Sequence, residues 1–101
     1  MVTYEVTTVV EAPLVDAYER YMRWVHIPAL LATGCFDEAT FTRSTEGRYR
    51  IRYEAPGEAA LDDYLATHAA RLRADFAAHF PEGVTATREV WVALESWTRR
   101  D

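Results

Sequence analysis

One histidine and one tyrosine stand at a spacing that suits acid–base chemistry. His68 lies on the apolar stripe expected for the second helix, and Tyr64 precedes it by one turn, so both side chains reach the same volume. An imidazole can take a proton, and a phenol can donate to a developing oxyanion. We therefore predict a catalytic pair here. The alternative is a histidine at the edge of the core, bonded to a carbonyl or a tyrosine.

A second histidine, His26, stands two residues before Pro28. Because Pro28 offers no N–H to the carbonyl of Trp24 and disfavours helical dihedrals at Ile27, we expect the first helix to end or kink around His26. The carbonyls of that helix end would favour the imidazolium form. Two roles stay open for His26, a cap of the helix and a catalytic or ligand-contacting group.

Other polar side chains alternate with apolar residues on the strand faces that should point toward the helices. If the His68–Tyr64 pair is catalytic, we expect them to line its cavity; they are Tyr4, Tyr49, Tyr53 and Arg88. Inside the fold, Arg88 would need a carboxylate, an anionic substrate or water as partner.

Neither a metal nor another cofactor is expected from the residues. A zinc site made of His26, His68 and His79 would require three separated side chains to converge without a close carboxylate, and we expect His79 to cap its helix. Cys35, the single cysteine, excludes an internal disulfide and has no basic neighbour in sequence to lower its pKa. We expect it to pack in a loop.

The elements that must position these side chains follow from periodicity. Alternation of period two predicts four strands, with Gly47 in the hairpin turn between the second and third; they cover residues 2–11, 36–46, 48–55 and 84–97. Helical spacing predicts a first helix from Pro13 to about Val25, one further turn through Leu31, and Gly34 as C-cap.

A second helix is predicted over residues 58–80, and its apolar stripe contains Leu61, Leu65, His68, Leu72 and Phe76. The order strand, helix, strand, strand, helix, strand predicts a ferredoxin-like α+β fold for a single domain, 1–101. Both helices should cover one face of a four-stranded antiparallel sheet, whose central pair is the first and third strands.

The opposite sheet face has no cover within the chain. It should carry both charged and aromatic side chains, namely Arg48, Arg50, Arg52, Glu5, Glu89, Trp91 and Trp97. We expect the arginine row to form a cross-strand ladder with glutamates rather than an anion site. A face this aromatic predicts a homodimer that forms through the sheets.

Composition narrows the list of partners. The formal net charge is −5, the chain contains no lysine, and no cluster of basic residues follows a helix. Nucleic acid is therefore excluded as the main partner. No apolar run of membrane-spanning length and no signal-peptide pattern is present, so we expect a cytoplasmic protein.

The stretch from Tyr18 to Phe36, with the motif RWVHIPALLATGCF, resembles the bacterial DUF4286 family, a domain of unknown function. The resemblance continues through Tyr49–Tyr53, Tyr64–Leu65, His68, Leu72–Arg73 and Arg88. It implies a dimeric α+β barrel, in a superfamily of cofactor-free monooxygenases, cyclases, isomerases, haem enzymes and ligand binders. Tyr18 and Tyr21 stand where relatives often have tryptophan.

Two details of the resemblance concern the site. The His26-x-Pro28 spacing is similar to an element that borders the cavity under the helices in some dimeric α+β barrels. The Tyr64–His68 pair resembles the acid–base equipment of cofactor-free cyclases. These likenesses imply a small-molecule-binding protein, with cyclase or isomerase chemistry on an aromatic or polyketide-like substrate.

A non-catalytic ligand-binding or accessory dimer is the alternative function. A haem or metal protein is a third possibility, and such a protein would be coloured or metal-loaded.

Overall fold

The computed structural model describes all residues from Met1 to Asp101, and its centre is a four-stranded antiparallel sheet. The strands are β1 (Val2–Val10), β2 (Glu38–Arg43), β3 (Arg48–Ala55) and β4 (Val84–Val92). Their order across the sheet is β2-β3-β1-β4. The predicted α+β fold and its central pair, β1 and β3, are thus confirmed.

The first helical region follows β1 and continues through the irregularity that we expected around His26. A 3-10 turn (Ala12–Leu14) leads into α1 (Val15–Tyr21), a π-helical turn (Met22–His26) and α2 (Ile27–Ala32). Pro28 cannot donate the α-type hydrogen bond, and the wider π turn just before it keeps the chain helical. Gly34, at φ +78°, closes the region, and its N–H donates to the carbonyl of Leu31 at 3.1 Å.

The second helical region contains a break that we did not predict. It consists of α3 (Glu58–Thr67) and α4 (Ala69–His79), separated by His68 at φ −119°. The predicted stripe is also wrong at Leu65, which is 40% exposed. Tyr64 is buried instead, because its ring packs between those of Tyr4 and Phe36, at centroid distances of 5.7 and 4.9 Å.

The sheet has an inner face under the helices and an outer face without cover. Tyr4 of β1 lies opposite Tyr53 of β3, and Glu5 lies opposite Arg52, so alternate residues divide cleanly between the two faces. Gly47 occupies the hairpin turn at φ +82°, as predicted, and its carbonyl accepts the N–H of Val10 at 2.7 Å.

Strand β4 is shorter and more open than predicted. It ends at Val92, which pairs with Val2, and one further hydrogen bond follows, from the N–H of Ala93 to the carbonyl of Met1 at 3.2 Å. Trp97 therefore lies in the irregular segment that follows and is 81% exposed, so its predicted place on the outer face is wrong. The helices also leave the inner side of β4 exposed, as at Val90. None of the helices combines the length and apolarity needed to cross a membrane.

Candidate functional site

A cavity lies between the helices and the inner face of the sheet, and residues of β4 form part of its lining. The cavity is narrow, with a volume of about 30 Å³. The lining combines apolar side chains with phenols, two guanidinium groups and one imidazole; it consists of Tyr4, Val6, Thr8, Met22, His26, Leu30, Ile51, Tyr53, Tyr64, Arg73, Phe76, Ala86 and Arg88.

Three phenols converge on this cavity from three elements. Tyr4 and Tyr53 are paired neighbours on the central strands, and Tyr64 approaches them from α3. Burial raises the pKa of Tyr64 to about 12 and raises that of Tyr53 well above its usual range. Both phenols therefore stay protonated at neutral pH and can act as hydrogen-bond donors.

His26 reaches the cavity from the last residue of the π turn. Its ring packs edge-on against Phe76 at 5.2 Å and stacks on Tyr21 at 5.9 Å. Burial, followed by the positive charge of Arg88, lowers the pKa of His26 to about 4, although Asp75 acts in the opposite direction. The imidazolium expected from a helix end is thus replaced by a neutral ring, because the ring is buried beside Arg88.

Two arginines supply positive charge to the same cavity. Arg88 extends from β4, where it lies opposite Val6, and Arg73 extends from α4 and donates to the hydroxyl of Tyr4 at 2.9 Å. Neither guanidinium lies within salt-bridge distance of a carboxylate. Both arginines are exposed, so their charge at the edge of the cavity is solvated and has no carboxylate in direct contact.

Sequence reasoning did not select Arg73 as a site residue. Its position on α4 depends on the break at His68, which resets the helical phase. The only available signal was its place in the family resemblance, directly after Leu72.

Two residues predicted for the site lie elsewhere. His68 is not among the lining residues, although its ring stacks behind that of Tyr64 at 6.4 Å, because the helix break directs it toward Cys35 and Asp63. Tyr49 shares the inner face with Tyr53 but lies under α1, where it donates to Glu19 at 2.6 Å. The structure thus brings together His26, Tyr64, Tyr4, Tyr53 and Arg88, without His68 or Tyr49.

His79 does not cap its helix by a side-chain hydrogen bond. Its ring is exposed and stacks on Tyr21 at a centroid distance of 4.2 Å. It lies outside the cavity.

The sheet order and the helix-to-sheet cavity define a ferredoxin-like α+β protein. The chain belongs to the DUF4286 family, described as a domain of unknown function, whose family model matches residues 1–94. The resemblance drawn from the Tyr18–Phe36 segment is thereby confirmed. No curated protein is significantly similar to the chain.

Solved structures with the same fold come from distant sequences. A candidate antibiotic biosynthesis monooxygenase from Deinococcus radiodurans is 18% identical, with a TM-score of 0.69 and full coverage of both chains. The cofactor-independent oxygenase SnoaB from Streptomyces nogalater is 17% identical, with a TM-score of 0.68 and 97% of each chain covered. A dimeric ferredoxin-like protein from an uncultured marine organism is 12% identical, with a TM-score of 0.63, covering 95% of this chain and 96% of that one. At these identities the likeness establishes the fold.

Proposed function

We propose that this protein binds a small, ring-containing organic anion in the cavity between its helices and sheet. The observation that carries the proposal is the pair of guanidiniums, Arg73 and Arg88, which lack a carboxylate partner and border a cavity of phenols and apolar side chains. Apolar walls suit a ring, and charge-assisted hydrogen bonds suit a carboxylate, phenolate or enolate attached to it.

The same lining supports cofactor-free proton transfer on such a ligand, as in cyclisation or isomerisation. His26 is neutral at pH 7 and accepts the proton, while the protonated phenol of Tyr64 donates to the oxyanion that forms. The sequence suggested His68 as the base; its position outside the cavity favours His26 for that role. A bound anion would raise the pKa of His26 and make it a stronger base than in the free protein.

A non-catalytic binding or accessory role is the second candidate. The narrowness of the cavity favours it, since a planar ring could enter only if side chains such as Phe76 move aside. Binding without turnover is the outcome that distinguishes this candidate from the first.

Pairing of two copies through the outer sheet face also belongs to the proposed function. That face presents arginines and glutamates together with Trp91, which is 48% exposed, so a second copy could match both its charge and its apolar surface. One structural neighbour is described as dimeric.

Calorimetric titration with 1-hydroxy-2-naphthoate tests anion binding. We expect one site per chain and about tenfold or greater weakening in Arg88→Gln, because a charge-assisted hydrogen bond is lost. Arg20→Gln, an exposed arginine on α1, is the matched control and should bind like wild type. Uncharged 1-naphthol should not distinguish wild type from Arg88→Gln. Equal binding of the naphthoate by all three proteins would overturn the proposal.

Deuterium exchange at the acidic methylene of 2-tetralone, followed by NMR in D₂O, tests proton transfer. Wild type should accelerate the exchange, and His26→Gln should lose most of the acceleration while His79→Gln keeps it. Acceleration that survives in His26→Gln contradicts the assignment of the base. Absence of exchange in a protein that binds the naphthoate supports the non-catalytic candidate.

Sedimentation velocity tests the dimer. Trp91→Ala should shift the chain toward monomer, whereas Trp24→Ala, an equally large truncation on the helical layer, should not. A wild-type chain that sediments as a monomer at micromolar concentration would refute pairing through the outer face.

A further inference from the structure

A second group of reactive side chains lies outside the cavity, where the loop after α2 meets the junction of α3 and α4. It consists of Cys35, Asp63 and His68, and their sulfur, carboxylate and imidazole atoms all lie within 4.8 Å of one another. Asp63 and His68 lie five residues apart at the end of α3, and the fold brings Cys35 to them from the loop after α2.

Local structure holds each member in place. The N–H of Cys35 donates to the hydroxyl of Thr33 at 3.2 Å, which orients the loop that follows Gly34. The thiol of Cys35 lies 3.5 Å from Oδ2 of Asp63, and Oδ1 of Asp63 accepts a hydrogen bond from Thr67 at 3.2 Å. The break between α3 and α4 falls at His68 and carries its ring to the same point.

We propose that Cys35, Asp63 and His68 form a binding site for a divalent transition-metal ion, with zinc as the preferred ion. Sulfur, nitrogen and oxygen donors together match the borderline-soft character of Zn²⁺. Ligand atoms of a tetrahedral zinc site lie about 3.3–3.6 Å apart, so closure from the observed spacing needs side-chain shifts of about 1 Å. Three protein ligands leave the fourth position to water.

The surroundings permit the ion to enter and the ligands to ionise. Cys35 is buried, but Asp63 is exposed and His68 half-buried, so the group opens to solvent on the carboxylate side. Arg71 contacts Nδ1 of His68 at 3.2 Å, and because Arg71 is exposed its guanidinium can turn into water when a metal occupies the site. Binding then exchanges the thiol proton for the metal.

This site is separate from the anion cavity, since none of its three ligands is among the cavity's lining residues. A role as metal ligand accounts for the position of His68 outside the cavity, where it takes no part in the proposed proton transfer. We expected no metal site from the three histidines together, whereas this group contains only one histidine, His68.

Titration of the chelator-treated full chain with Zn²⁺ and with Co²⁺ tests the proposal. We expect one ion per chain, and the Co²⁺ form should show a thiolate-to-metal charge-transfer band together with the visible bands of tetrahedral cobalt. His68→Gln should weaken Zn²⁺ binding by about tenfold or more, and Cys35→Ser should abolish the charge-transfer band. His79→Gln removes a histidine outside the group and should leave both properties unchanged.

A second measurement guards against misfolding of the variants. Zn²⁺ should raise the thermal unfolding temperature of wild type and of His79→Gln but not that of His68→Gln, which lacks one ligand. Absence of stoichiometric binding to wild type, or zinc affinity unchanged in both Cys35→Ser and His68→Gln, would overturn the site.

Discussion

Consecutive residues of β3 meet opposite surroundings, and the contrast between the two sheet faces organises the molecule. Ile51 and Tyr53 point inward and are buried, at 0% and 1% exposure, whereas Arg50 and Arg52 point outward beside Glu5. The inner face is apolar and phenolic, with two guanidiniums that lack a carboxylate partner at its border, while the outer face pairs Glu5 with Arg50 and Arg52 across strands. The inner face is therefore suited to a small ligand, and the outer face to a broad, charged partner.

The largest expected effect on stability comes from shortening a buried side chain of the inner face. Ile51→Ala removes a fully buried side chain at the centre of the sheet and should lower the free energy of unfolding by about 2–5 kcal/mol. Arg52→Ala, the next residue along the strand, should cost less, about 1 kcal/mol, because it loses only a partly exposed ion pair. Urea unfolding at one protein concentration measures both. Similar costs would contradict the contrast between the faces.

Substitutions of polar side chains should also reduce stability more on the inner face than on the outer face. Thr8 and Tyr18 share a buried hydrogen bond of 2.6 Å. Thr8→Val keeps the shape of the side chain but leaves the Tyr18 hydroxyl without a partner, so we expect a loss of about 1–3 kcal/mol. Thr7→Val, on the outer face of the same strand, should change stability by less than about 0.5 kcal/mol. A neutral Thr8→Val would indicate that water replaces the lost bond.

The two faces of the sheet were predictable from the sequence because side chains alternate strictly in β1 and β3. Alternation indicates the face of the sheet on which a side chain lies, but it does not indicate which helix packs over that side chain. Tyr49 and Tyr53 illustrate this limit, since both point inward but only Tyr53 reaches the cavity, while Tyr49 lies under α1 beside Glu19.

The errors in the predicted site arise from the helices. No glycine or proline marks the break at His68. The apolar periodicity therefore predicted one continuous helix and placed His68 in the cavity. Arg73 was missed because its approach to Tyr4 depends on the phase of α4 after that break. Pro28 did signal an irregularity, but whether a helix ends or widens into a π turn depends on tertiary packing around Met22 and Leu30, both buried.

The neutral ring of His26 gives the inner face a pH dependence. Its pKa is lowered from 6.5 to about 4 in the folded chain, so between these values the unfolded chain binds the proton more readily. Stability should therefore rise with pH across this window and be fully present above it. His26→Gln should flatten that part of the slope in urea unfolding measured from pH 4 to 7, whereas His79→Gln should not. An unchanged slope in His26→Gln would show that other groups cause it.

If the protein is a monomer, removing a charge from the outer face should have only a small effect on stability. The size of that effect shows whether a partner covers the face. Glu5 lies 3.5 Å from Nε of Arg52 and 3.8 Å from Nε of Arg50, and it accepts the indole N–H of Trp91 at 3.3 Å. With the face in water, Glu5→Gln should cost less than about 1 kcal/mol, and salt should reduce that cost further.

In a dimer closed over this face, the same substitution would leave Arg52 buried without its counter-charge. The cost should then reach about 3 kcal/mol, depend on protein concentration and respond little to salt. Urea unfolding of wild type and Glu5→Gln at two protein concentrations and two salt concentrations separates these cases. A small, salt-sensitive cost at every concentration would mean that the outer face stays in water, which would also remove the physical basis for pairing through it.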